Sequence, residues 1–238
     1  FQFTIRSIVQ MLLIRSFPFL GLIIISILLN VLYISSVLGF IHPNASLRKA
    51  TQVFSRASMD AETAVPKLVV FDLDYTMWNP EMYQLYGAPF EKRGGKVYDR
   101  SGTEVKLFRD VRSILRRIRT SEEFSSTKIA SASRTEYPEW AYEVMSLMPV
   151  DDNLTMADVF EFNEIYPGTK TAHFRRLHQD SQIAFKDMVF FDDWNGNCRD
   201  VARLGVTTME CPQGMTMKVF DACLQKFQAA VNSKVPKS

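Results

Sequence analysis

The stretch KLVVFDLDYT, residues 67–76, decides the fold. Its first five residues form a short apolar run, which reads as a strand buried on both faces of a parallel sheet. Asp72 and Asp74 follow at once. In an open α/β sheet, ligands bind beyond the carboxyl ends of the strands. Two carboxylates on an extended or turning chain at that point can therefore aim into one crevice. The same pair also suits an ordinary turn or helix start, so this motif alone is a modest signal.

Downstream, strands and helices alternate. Lys96–Asp99 and Glu104–Phe108 flank Arg100-Ser101-Gly102, a hairpin signal. Val111, Ile114, Leu115 and Ile118 recur at helical spacing, and Arg112, Arg116, Arg117 and Arg119 on the other faces read as a solvated surface. Lys128–Ala132 (KIASA), Met188–Phe191 (MVFF) and Val206–Glu210 (VTTME) read as further strands. Helices are predicted around Trp140, Val144 and Met148, over Thr169–His178, over Asn197–Leu204 with Gly205 as the C-terminal cap, and over Met217–Val231. This alternation predicts an α/β fold: a Rossmann-like, doubly wound parallel sheet, with one small hairpin flap in place of a large cap domain.

Further polar residues follow the other strands. Ser133 and Arg134 come after KIASA, Lys170 opens a helix after Tyr166-Pro167-Gly168-Thr169, and Asp192-Asp193 come after MVFF. The order is acid pair, hydroxyl, lysine, acid pair, spaced by roughly one βα unit of ~30 residues. A lone lysine is more often a surface ion-pair partner and a lone Asp a helix cap. All four together, in this order, are hard to reach by accident.

These motifs resemble those of the haloacid dehalogenase superfamily. More closely, FDLDYTMW, ASRTE, YPGTKTAHF and VFFDDWNGN are similar to the eukaryotic magnesium-dependent phosphatase family, of acid phosphatase and protein-tyrosine-phosphatase-like type, over residues 66 to about 215. The resemblance implies a phosphomonoester hydrolase dependent on Mg²⁺. Asp72 would be the nucleophile that forms an aspartyl-phosphate, and Asp74 the acid and base. Lys170 would act on the phosphoryl group, with Ser133, Arg134 and Thr76 as substrate-binding residues. Asp72, the backbone carbonyl of Asp74, Asp192 and Asp193 would surround the metal. Halide-displacing members need no leaving-group acid, so Asp74 favours phosphoester chemistry. The short segment after Thr76 implies an open site. That suits phosphotyrosine or another phosphorylated protein side chain, or a small sugar phosphate, with Trp78, Tyr83, Tyr86 and Phe90 as candidates for its entrance. A catalytically silent phospho-ligand-binding or scaffold protein tethered to a membrane is the alternative from another class. A phosphotransferase would usually need a cap that excludes water.

The 238-residue chain carries a net charge of only +2, which argues against nucleic acid as a partner. Cys198, Cys211 and Cys223 form no CxxC pair and read as reduced thiols. The first acidic residue is Asp60. That asymmetry separates an apolar or targeting segment, residues 1–58, from a phosphatase domain, residues 59–238. Residues 17–41 are apolar for long enough to cross a bilayer as a separate transmembrane helix and give membrane association. Residues 42–58 have transit-peptide composition. A start at Met59 instead predicts a cytoplasmic protein. The sequence leaves membrane anchor, organelle address and removed or untranslated stretch as competing readings.

Overall fold

Strand β1, Leu68–Phe71, is fully buried along its length, as its apolar sequence requires. It is the centre of a sheet in the computed structural model, which describes residues 64–233. The apolar segment 17–41 and the boundary at Met59 lie outside the described residues. Among the described residues, no helix is long and apolar enough to cross a membrane.

After β1 come β2 (Trp78–Asn79), β3 (Glu91–Arg93), β4 (Lys96–Tyr98), β5 (Glu104–Leu107) and helix α1 (Val111–Thr120). Then follow β6 (Lys128–Ser133), α2 (Pro138–Leu147), α3 (Met156–Val159), β7 (Phe162–Ile165) and α4 (Lys170–Ser181). The chain continues through β8 (Met188–Asp192), α5 (Asn195–Ala202), β9 (Thr207–Glu210) and α6 (Met217–Asn232). The main sheet has the order β7-β6-β1-β8-β9, all parallel. The chain moves outward from β1 through β6 to β7, then returns to the other side of β1 for β8.

Alternate residues of the central strands feed two separate cores. Val69, Phe71, Ile129, Val189 and Phe191 pack with Ile114, Val144 and Phe220 from α1, α2 and α6. Leu68, Val70, Ala130, Met188 and Phe190 pack on the other face with Phe174, Leu177 and Val201 from α4 and α5. Period-two alternation with apolar residues on both faces is the physical content of the doubly wound reading.

Strand β7 and helix α3 are absent from the sequence reading. The strand FNEI carries Asn163 and Glu164 and lies at the sheet edge. There Ser131 Oγ donates to Asn163 Oδ1 at 2.7 Å, so a polar side chain is satisfied within the sheet.

The hairpin predicted around residues 100–102 is present as β4 and β5, within an antiparallel sheet of order β2-β5-β4-β3. Asp99 fixes its turn. Its Oδ1 accepts from Ser101 N, Ser101 Oγ and Thr103 N at 2.7–2.9 Å, and its Oδ2 accepts from Tyr86 N at 2.7 Å. Burial alone would raise this carboxyl; the hydrogen bonds outweigh it and hold the carboxyl below its ordinary value. Gly102, at φ +90°, takes the left-handed turn position.

Candidate active site

Parallel register brings the carboxyl ends of β6, β1 and β8 side by side. Phe71 stands opposite Ser131 on one side and Phe191 on the other, and Asp72 N donates to Phe191 O at 2.9 Å. Asp72, Ser133 and Asp192 therefore come to one rim. Lys170 joins them as the first residue of α4, a helix whose start is capped by the Thr169 side chain accepting from Ala172 N at 3.2 Å.

The chain after β1 turns tightly. Leu73 O accepts from the backbone N–H groups of Thr76, Met77 and Trp78, and Tyr75 is held at φ +53°. A non-glycine residue in that region is uncommon and persists where its surroundings enforce it. Leu73 is buried, while Asp72 and Asp74 on either side of it both line a cleft of about 420 Å³.

The Lys170 ammonium is almost completely buried and sits among acceptors. Nζ lies 2.5 Å from Asp72 Oδ1 and 3.2 Å from Asp192 Oδ2, and it also donates to Ala132 O. Asp192 is wholly buried and held by further donors. Asn197 Nδ2 reaches both its oxygens at 2.9–3.0 Å, and Trp194 N donates to Oδ1 at 2.9 Å. Carboxylate oxygens of Asp72, Asp192 and Asp193 lie within 4.8 Å of one another. When all are ionised, three carboxylates and one ammonium leave two uncompensated negative charges in a largely buried site. A divalent cation with a preference for oxygen ligands fits that donor set. The Asp74 carboxylate stands apart from this cluster. Its Oδ1 accepts from Trp78 Nε1 at 2.7 Å and Met82 N at 3.3 Å.

The electrostatics follow from this geometry. Burial pushes the Asp72 carboxyl up, Lys170 opposes the rise, and Asp192 adds to it. Burial pushes Asp74 up to about 6, against the hydrogen bonds from Trp78 and Met82. Asp193 is raised by burial and then by Asp192.

Ser133 is buried at the cleft wall, and its Oγ accepts from Thr135 N at 3.3 Å. Arg134 is exposed at the cleft, with its guanidinium carbon 6.0 Å from the Trp194 ring centroid and Nη1 3.5 Å from Asn197 Oδ1. Thr76 is placed differently from the substrate-binding position expected of it. It is wholly buried, its Oγ1 accepts from Asp193 N at 3.0 Å and lies 3.5 Å from Asp72 Oδ2, and it is not among the cleft-lining residues. It braces the two acids from behind. Of the four entrance candidates, Trp78 and Phe90 are core residues and Tyr86 is exposed outside the cleft, so Tyr83 alone lines it.

Sequence reasoning gave no role to Asn197, Glu81 or Glu136, which also line the cleft. For Asn197 the signal was present: an amide five residues after Asp192, in the first turn of the following helix, is within reach of the strand end. Glu136 closes the ASRTE motif, and nothing local marked Glu81.

Comparison with known proteins gives the family. The acid phosphatase family model matches residues 64–230. The chain is 38% identical over 170 residues to human magnesium-dependent phosphatase 1, covering 70% of this chain and 89% of that protein. It is 39% identical over 151 residues to a HAD-like hydrolase superfamily protein of Schizosaccharomyces pombe, covering 61% of this chain and 85% of that protein. With the motifs, the parallel sheet and these relatives in agreement, the chain belongs to the acid phosphatase family, among the magnesium-dependent phosphatases of the haloacid dehalogenase superfamily.

Proposed function

We propose that this chain hydrolyses phosphomonoesters with Asp72 as the nucleophile. The observation that carries the reading is the buried Asp72–Lys170–Asp192 arrangement at the carboxyl ends of adjacent parallel strands, opening into the cleft. Asp72, Asp192 and Asp193 would hold Mg²⁺. When bound, that ion supplies positive charge that offsets the repulsion between an anionic nucleophile and an anionic phosphate.

An oxygen of Asp72 attacks phosphorus, and the bond from phosphorus to the ester oxygen breaks. Asp74 gives its proton to the departing oxygen, which leaves as an alcohol or phenol. Water then attacks the aspartyl-phosphate, Asp74 takes its proton, and the acyl-phosphate P–O bond breaks to return the Asp72 carboxylate with inorganic phosphate. Lys170 and Ser133 hold phosphoryl oxygens, with Arg134 at the rim, in a fixed arrangement that needs little reorganisation during reaction. Asn197 fixes the orientation of Asp192, and Thr76 that of the Asp72–Asp193 pair.

The connection between β2 and β3, which brings Glu81 and Tyr83 to the cleft, takes the place of a large cap. An open cleft of about 420 Å³, with exposed Tyr83 and Trp194 near its mouth, supports substrates that project a phosphate from a larger body: a phosphorylated protein side chain, phosphotyrosine included, or a sugar phosphate. The test is chemical trapping. The full chain is mixed with an aryl phosphate and Mg²⁺, quenched in acid and reduced with borohydride, which converts an aspartyl-phosphate to homoserine. Homoserine at position 72 is the expected product. Turnover with no conversion at Asp72 would refute the assignment.

A further inference from the structure

A second concavity lies away from the cleft. A groove of about 650 Å³ is bounded by Asn79, the length of β5 from Glu104 onward, and the start of α1, and it shares no lining residue with the active-site cleft. Half-buried Phe108 and the aliphatic stems of Lys96, Lys106, Arg109 and Arg112 give it apolar surface beneath four cationic heads, while Val105, Leu107 and Met148 are core residues at its floor. Glu104 is its single acid and is engaged with Lys96 at 3.1 Å. Lys106 is exposed and has no ion-pair partner among the described residues. Arg109 is almost fully exposed and, among the described residues, pairs only with its neighbour Asp110 at 3.2 Å.

Arg112 is anchored. Its Nε donates to Pro149 O at 2.8 Å and its Nη2 to Gly95 O at 3.3 Å, so one guanidinium ties the end of α2 to the β3–β4 turn and closes one end of the groove. Arg116 and Arg119 follow Arg112 at i+4 and i+7, along the same side of the helix, and both are exposed. Positive charge thus continues from the groove along α1.

We propose that this groove docks an acidic segment of a partner protein, one that interleaves carboxylates with apolar side chains. Charge complementarity selects the carboxylates. Phe108 and the aliphatic stems select the side chains between them and disfavour a bare phosphate chain. The concavity fits a polypeptide segment better than a flat bilayer. Such docking leaves the catalytic cleft open.

The probe is the fluorescein-labelled nonapeptide EDLEFEDLE, titrated with the full chain and followed by fluorescence anisotropy. A same-charge peptide, EDSESEDSE, lacks the apolar side chains. The variant Lys106→Glu with Arg109→Glu reverses two exposed charges that take no part in catalysis. The expected result is binding of EDLEFEDLE that weakens at least about tenfold in the double variant, because two attractions become repulsions. It should also weaken at least about tenfold for EDSESEDSE, while aryl-phosphate kcat and KM stay unchanged. Equal binding by the charge-reversed variant would overturn the proposal. So would equal affinity for the serine peptide, or binding to phosphatidylserine vesicles with none to EDLEFEDLE.

Discussion

Replacing Lys170 by Met keeps the length of the side chain and removes its charge. Lys170 is 3% exposed, and its ammonium contacts Asp72, Asp192 and Ala132 O. Its loss leaves two buried carboxylates facing each other without a counter-charge. Breaking a buried ion pair from one side costs about 3–5 kcal/mol. Against a typical stability of about 5–15 kcal/mol, the variant should remain folded but with a much lower urea midpoint. Added Mg²⁺ should recover part of that loss, since it binds the same acids in the folded state alone. Turnover should not recover. A fixed donor to the reacting phosphoryl group is worth about 10²–10³ in rate, and the ion cannot replace one on that side of the site. The assay pairs urea unfolding with aryl-phosphate hydrolysis, each with and without saturating Mg²⁺. Lys170→Arg should also fail to restore activity, because a planar guanidinium cannot occupy the tight pocket of one ammonium. A kinetic loss below about tenfold at saturating Mg²⁺, with an unchanged urea midpoint, would sink the argument that Lys170 neutralises this site.

Asp72→Asn should abolish turnover while leaving the unfolding transition cooperative, because an amide is a poor nucleophile; near-wild-type rates would place the nucleophile elsewhere. Chelation should stop hydrolysis and Mg²⁺ should restore it, so persistence in excess chelator counts against the metal site. His173 is wholly buried and its Nε2 lies 3.1 Å from Tyr166 O; burial, then the charge of Lys170, lowers its pKa from 6.5 to about 4. The unfolded chain takes up this proton below pH 6.5 and the folded chain refuses it until about 4, so stability is complete above 6.5 and falls by about 3 kcal/mol as pH drops to 4. Urea unfolding of His173→Gln should lack that component, and parallel pH curves for variant and wild type would refute it. Residues 59–238 expressed alone should unfold cooperatively and hydrolyse an aryl phosphate in Mg²⁺; aggregation, or a folded and inactive product, would show that the upstream segment supports the core or the site.

The sequence by itself determined the central strands and the residues that end them. KLVVF, KIASA and MVFF are apolar because both faces of a parallel sheet are covered, and a polar residue directly after such a run has to lie at the sheet's carboxyl rim. Asp72, Ser133 and Asp192 were legible on that ground, and Lys170 as the first residue of a helix that follows Pro167-Gly168-Thr169. Local pattern carries no information on what meets across the sheet. Lys170 reaches Asp72 across 98 residues only because β8 returns to the free side of β1, and strand order decides that. The edge strand β7 escaped notice because its Asn163 side chain is satisfied by Ser131 and the Asn163 carbonyl accepts from Tyr142, partners that exist only after folding. The same holds for Thr76, whose hydroxyl meets Asp193 from 117 residues away, and for Trp78, drawn into the core while Tyr83 stays at the cleft. Periodicity records which side of an element is buried. What a polar group bonds to, and whether an aromatic ring fills a core or lines an entrance, is settled by tertiary packing.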